Sequence, residues 1–297
     1  AYEITYGDWS SDVCSSDLVS WLSENFKPDA TSSQPIVVVD CRFSLADPQR
    51  GRSLYEQGHI PGAVYLDLNQ DLASAPSPER GRHPLPDLET LSEKLAALGV
   101  TFQETLVVAY DNDRFAYAAR LWWLLRYLGH DRVAVLDGGL RAWQEQGYPL
   151  TSQDPPTVAT GTFTPQPRPE MICDRAELKT TPHLTLIDSR EAPRYRGEIE
   201  PIDPIAGHIP GAINAFWQAV TTEQGYAQSP SFHQTYWAEK LPENPDPKTI
   251  VVYCGSGVTA CVNLLSLTIA GFPEAKLYPG SWSEWCHCET AIATGES

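Results

Sequence analysis

Val251-Val252-Tyr253-Cys254-Gly255-Ser256-Gly257-Val258-Thr259-Ala260 sets a thiol between two kinds of secondary structure. Val251 to Tyr253 belongs to a short apolar run of β-formers and reads as a buried strand, and a helix-compatible run follows almost at once. The spacing therefore predicts strand, tight loop and helix, with Cys254 at the junction. Gly255 and Gly257 let the backbone curl closely around the sulfur, so that several N–H groups can point at it, and the helix dipole adds partial positive charge. Both effects stabilise negative charge on sulfur. A strand-end cysteine can also be a small core residue, but two glycines flanking Ser256 argue against that here. Cysteine-based phosphate chemistry would need an arginine clamp six positions on, where this chain has Ala260.

Outward from this loop the chain repeats itself. Gly58-His59-Ile60-Pro61-Gly62-Ala63 recurs as Gly207-His208-Ile209-Pro210-Gly211-Ala212. Val37-Val38-Val39-Asp40-Cys41-Arg42 answers Leu186-Ile187-Asp188-Ser189-Arg190, Val107-Val108-Ala109-Tyr110 answers Ile250-Val251-Val252-Tyr253, and Trp143 answers Trp285. Two copies of one α/β fold are implied, each alternating short β-rich runs with helical patterns, hence a parallel sheet covered on both faces. After Asp111, the residues Phe115, Ala119, Trp122, Leu125 and Leu128 recur at helical spacing until Gly129. The copies are expected at residues 19–150 and 170–297, joined by an extended linker at 151–169 that is rich in Pro, Thr and Gln.

A formal charge of −17 argues against a nucleic-acid partner. It also means that an anionic substrate needs local donors to overcome the global field. No apolar stretch is long enough for a membrane span and no secretory signal is visible, so a cytoplasmic location is expected. Seven scattered cysteines form no disulfide framework. Cys286-His287-Cys288 is a weak metal signal and reads as C-terminal surface sequence. Residues 1–18 resemble a translated sequencing adapter and are expected to take no part in the fold. They hold Cys14 and four acids (Glu3, Asp8, Asp12, Asp17) without Lys or Arg, so their removal changes the charge from −17 to −13.

The Cys254 loop, the aromatic-x3-His-Ile-Pro-Gly-Ala block at Tyr55 to Ala63, and Tyr278-Pro279-Gly280-Ser281-Trp282-Ser283-Glu284-Trp285 together resemble the two-domain rhodanese family. The loop is similar to that of its mercaptopyruvate branch. The resemblance covers essentially all of residues 19–297. It implies two tandem rhodanese-like domains, each a small parallel sheet flanked by helices, with only the second catalytic and the site between them. It implies sulfur transfer from thiosulfate or 3-mercaptopyruvate through a Cys254 persulfide to cyanide, a thiol or a thioredoxin-like acceptor, with no cofactor or metal. The alternative is a non-enzymatic rhodanese-type binding or sulfur-carrier module.

The same resemblance assigns the site residues. Gly255, Gly257, Val258 and Thr259 would form the substrate seat, Arg194 would bind the donor anion, and Ser256 would donate to a keto oxygen. The family pairs that serine with a first-domain histidine and aspartate. His59 matches the histidine, although its repetition as His208 also fits a structural role, and Asp47 is the nearest aspartate. The family's second arginine, nine positions after Arg194, is here Asp203. Asp111 stands opposite Cys254 in the first copy, where the lack of glycine leaves no expected cradle and the domain reads as a wall of the cleft. Cys261, two helical turns beyond Cys254, reads as core.

Overall fold

The computed structural model describes residues 18–26, 35–289 and 291–296. The adapter-like residues 1–17, including Cys14, lie outside the described residues. Leu18 does not: it opens a helix whose Leu18, Val19 and Leu22 are buried in the first-domain core.

In the first half the order is α1 (Leu18–Asn25), β1 (Ile36–Asp40), α2 (Arg50–Gln57), β2 (Val64–Tyr65), α3 (Leu88–Ala97), β3 (Leu106–Tyr110), α4 (Ala118–Tyr127), β4 (Val133–Val135) and α5 (Gly139–Glu145). The second half repeats the theme as α6 (Arg175–Thr180), β5 (Thr185–Asp188), α7 (Ala192–Tyr195), β6 (Ile213–Asn214), α8 (Pro230–Lys240), β7 (Ile250–Tyr253), α9 (Ala260–Ile269), β8 (Lys276–Leu277) and α10 (Ser281–Cys288). The strands form two four-stranded parallel sheets, ordered β2-β1-β3-β4 and β6-β5-β7-β8. Every residue of β3 and β7 is buried, the result expected where both faces of a parallel strand are covered. In register, Val38 faces Val108 and Leu186 faces Val251, which confirms the repeat read from sequence.

The helices that follow the two central strands join the halves. All of α4 except Arg126 is buried, and all of α9 except its last residue, Ile269. A helix apolar all round needs neighbours on every side. Here α4 and α9 pack on each other, so that one hydrophobic core runs from Val107 and Trp122 in the first domain to Val252 and Leu265 in the second. Gly129, at φ 82°, ends α4 as the sequence suggests. The connection near 151–169 is extended and docked, with Phe163 buried and the Gln166 N–H donating to the Leu128 carbonyl.

Strand order reverses between β1 and β3, and again between β5 and β7. Ligands of open parallel sheets bind beyond the carboxyl ends of strands at such points. Cys254 directly follows β7 and lies there.

Candidate active site

Cys254 lies on the floor of a cleft of about 450 Å³ between the domains, and its residue is only 2% exposed. The turn into α10 props its loop from behind. The Cys254 N–H donates to Ser281 Oγ at 3.2 Å, while the Cys254 and Gly255 carbonyls accept from the Trp282 and Ser283 N–H groups at 3.0 and 2.9 Å. Gly257 has φ 74°, and a Cβ there would stand 2.5 Å from the Pro279 carbonyl oxygen, so the sequence must supply glycine. Gly255 differs. Its backbone is not left-handed, but a Cβ would lie 2.8 Å from Arg82 Nη2 and 3.8 Å from both terminal nitrogens of Arg194. The missing side chain leaves room for the Arg82 guanidinium, with that of Arg194 at ordinary contact distance.

Arg82 and His83 come from the first domain. Their loop is clamped to the α10 turn: the Arg82 N–H donates to Ser283 Oγ at 3.0 Å, and Gly81 lies against the Gly280 carbonyl. His83 Nδ1 shares a 2.7 Å hydrogen bond with Ser256 Oγ. Burial, then the Arg120 and Arg82 charges, pull the His83 imidazole down to about 3, so it is neutral near pH 7. Arg120, wholly buried on α4, ties the halves together. It donates to the Gly257 carbonyl at 3.0 Å and to the His83 carbonyl at 3.2 Å, and no carboxylate pairs with it among the described residues.

The histidine at this site is therefore His83 and not His59. His59 is buried, stacks on Tyr55 at 3.9 Å between ring centroids and shares a 2.7 Å hydrogen bond from Nδ1 with the Tyr55 carbonyl oxygen. His208 repeats the arrangement on Tyr195. Both are fixtures of the fold. Asp47 accepts from the Gln49 N–H ahead of α2 and is not brought to Ser256.

Arg194 does reach the cleft, beside Arg82. Arg194 Nη2 donates to Glu200 Oε1 at 2.7 Å and to Asp203 Oδ2 at 3.3 Å, and Asp203 also pairs with Arg82 across the domain boundary. A second guanidinium therefore borders the cleft although position 203 holds an aspartate: it is that of Arg82, from the other domain, with Asp203 as its partner. Burial pushes the Asp203 carboxyl up, against the pull of Arg82 and Arg194. Arg190, which lines the same cleft, is committed to Asp188 and the Gly207 carbonyl, as Arg42 is to Asp40 and the Gly58 carbonyl.

The first-domain counterpart of the loop corrects a second expectation, because a cradle forms there without glycine. The buried Asp111 carboxylate accepts from the N–H groups of Asp113, Phe115, Tyr117 and Ala118 at 2.8 to 3.2 Å. Arg114 and Phe115 take φ values of 56° and 71°, the turn that glycine would have eased. Cys261 is fully buried under the Cys254 loop and burial pushes its thiol up to about 12, as befits a core residue. Cys286 is buried in the second-domain core, contrary to the surface reading, and no three metal-ligating groups cluster among the described residues.

A cysteine in a backbone loop at the switch point of the second of two parallel-sheet units, with cations overhead, defines a class. The rhodanese-like domain model matches residues 19–146 and 174–288, and the chain belongs to the rhodanese family. Within that family it is a sulfurtransferase. It is 46% identical over 276 residues to the probable 3-mercaptopyruvate sulfurtransferase of Pseudomonas aeruginosa, covering 90% of this chain and 95% of that protein. It is 35% identical over 257 residues to the putative thiosulfate sulfurtransferase SseB of Mycobacterium tuberculosis, covering 86% and 89%. The fold is similar to the crystal structure of SseA from Escherichia coli, with a TM-score of 0.74 at 31% identity, covering 89% of this chain and 97% of that one. No helix among the described residues is long and apolar enough to cross a membrane.

Proposed function

We propose that Cys254 carries the sulfur, as a persulfide formed by attack of its thiolate on the outer sulfur of 3-mercaptopyruvate or thiosulfate. With 3-mercaptopyruvate the new S–S bond forms as the C–S bond breaks, and the electron pair leaves on the enolate of pyruvate, which takes a proton. With thiosulfate the existing S–S bond breaks and sulfite departs with the pair. This is nucleophilic catalysis with electrostatic stabilisation. The observation that carries the reading is the convergence of three things on one cleft: a shielded cysteine, two guanidinium groups over Gly255, and a serine paired with a neutral histidine.

Arg82 and Arg194 would hold the carboxylate or sulfonate end of the donor, since a guanidinium fork matches either group. Ser256 would donate to the keto oxygen as it becomes an enolate oxygen, with His83 orienting the hydroxyl; sulfite departure has no such need. The backbone of Gly255, Gly257, Val258 and Thr259 would hold the charged outer sulfur, by analogy with the N–H groups around Asp111. A small thiol, cyanide or a thioredoxin-like protein would then take the sulfur. The cysteines of the described residues are all free, which favours a reducing compartment such as the cytoplasm.

Intact-mass measurement after donor treatment tests the proposal. Wild-type protein should gain one sulfur atom, removable by cyanide or dithiothreitol, and Cys254→Ser should gain none. Sulfur addition that persists in Cys254→Ser would overturn it.

A further inference from the structure

The cations over Gly255 are not free. Arg82, Arg190 and Arg194 stand against Asp188, Glu200 and Asp203, three charges of each sign. The side chains of Glu200 and Asp203 are only 3% and 2% exposed, so these carboxylates are held inside the cluster. Local backbone hydrogen bonds fix their aim. The N–H groups of Ile202 and Asp203 donate to Glu200 Oε1 at 3.0 and 3.1 Å, which holds the Glu200 carboxylate against Arg194 and keeps the loop that carries Asp203 closed on itself. Asp203 there contacts both guanidinium groups that border Gly255, one donated by each domain. A donor anion seeking both guanidinium groups finds Arg82 Nη1 and Arg194 Nη2 already engaged by one carboxylate. It would also bring net negative charge into a balanced, poorly solvated cluster.

Building on the sulfur-transfer reading above, we infer that Asp203 is an internal competitor of the donor. Its carboxylate occupies the anion-binding forks of Arg82 and Arg194 in the resting enzyme, gives way as the carboxylate or sulfonate of the donor binds, and thereby sets a high KM. Asp203 touches neither sulfur nor the reacting carbon. It acts through the two arginines, on binding and not on the chemical step.

Asp203→Asn keeps the shape and one acceptor oxygen while removing the charge, so the arginines lose their competitor but not their packing. Replacing a charge-assisted by a neutral hydrogen bond should lower KM about tenfold for both donors, with kcat held within about twofold. The dissociation constant of pyruvate, measured by calorimetry in a Cys254→Ser background, should fall by a similar factor. In an Arg82→Ala background, Asp203→Asn should lose most of this effect, because the shared guanidinium is gone. Asp203→Ser provides a second uncharged variant should the amide pack badly, and thermal melting confirms that each variant is folded. An unchanged or raised KM in both folded, uncharged variants would overturn the inference, as would a fall in KM that survives Arg82→Ala in full. Absence of a persulfide in the wild-type protein would instead sink the sulfur-transfer reading.

Discussion

The two glycines of the loop should fail in opposite ways. Gly257→Ala puts a methyl group 2.5 Å from the Pro279 carbonyl oxygen at a residue with φ 74°. A side chain forced into the left-handed region costs about 1–3 kcal/mol and overpacking against backbone about 1–3 more, so a loss of about 2–6 kcal/mol of unfolding free energy is expected. Gly255→Ala has no such backbone conflict. Its methyl group meets the mobile end of Arg82, 2.8 Å away, which must swing aside. The Arg82 side chain is 28% exposed and Asp203 keeps Arg194 as a partner, so the loss of stability should be smaller than for Gly257→Ala. Misplacing one charge-assisted donor to the substrate anion should cost about 1.5–3 kcal/mol, or about 10- to 150-fold in kcat/KM. Urea denaturation and initial rates of pyruvate or sulfite release on the two variants measure both quantities. Equal destabilisation of the two, or an unchanged kcat/KM in Gly255→Ala, would refute the claim that Gly255 makes room for Arg82.

Further expectations follow from the same contacts. Cys254→Ser should abolish donor turnover. Asp111→Ala should leave an active site intact but cost about 3 kcal/mol or more in a denaturation curve, because four backbone N–H groups lose their acceptor. His83→Ala and Ser256→Ala should each slow the keto-acid donor about 10- to 100-fold in kcat while leaving thiosulfate within about threefold. His59→Ala should instead lower the melting temperature and spare the ratio of donors. Finally, burial holds His83, His130 and His233 near 3, 4 and 4 in the folded protein. Their folded values lie below the unfolded one of about 6.5, so the stability of the neutral forms is full above that pH and is lost as pH falls, by up to about 1.4 kcal/mol per pH unit for each. Melting temperatures that stay flat from pH 6.5 to 5 would contradict this.

The sheet pattern, the repeat and the Cys254 loop were legible because each is local in sequence: alternating element types, recurring hexapeptides, and a glycine-flanked cysteine after an apolar run. The histidine was misread for an instructive reason. His59 belongs to a repeated block, and what both copies keep, His59 with His208 and Arg42 with Arg190, serves the fold they share. Arg190 apart, the cations and the imidazole at the cleft are unshared: Arg82 and His83 have no partner copy, and Arg194 falls opposite Leu54. Asymmetry between the copies was the available signal. Even so, the Ser256–His83 contact joins residues 173 positions apart across a domain boundary, which no local spacing reveals. Position 203 shows the same limit, because the guanidinium of Arg82 enters the cleft from the other domain. The glycine-free cradle around Asp111 was hidden because the positive φ values at Arg114 and Phe115 go with tertiary contacts that propensity does not register: Arg114 donates to Gln218 and Thr221, and Phe115 is buried.

The filled cradle of the first domain has a bearing on stoichiometry. Both domains build a turn at the end of a central strand, and in the first copy the backbone N–H groups it collects are permanently plugged by a carboxylate of its own chain. Symmetry of fold thus does not become symmetry of binding. An oxyanion titrated into this protein should find one seat per chain, and a sulfur label should saturate at one equivalent, although the architecture was duplicated in full.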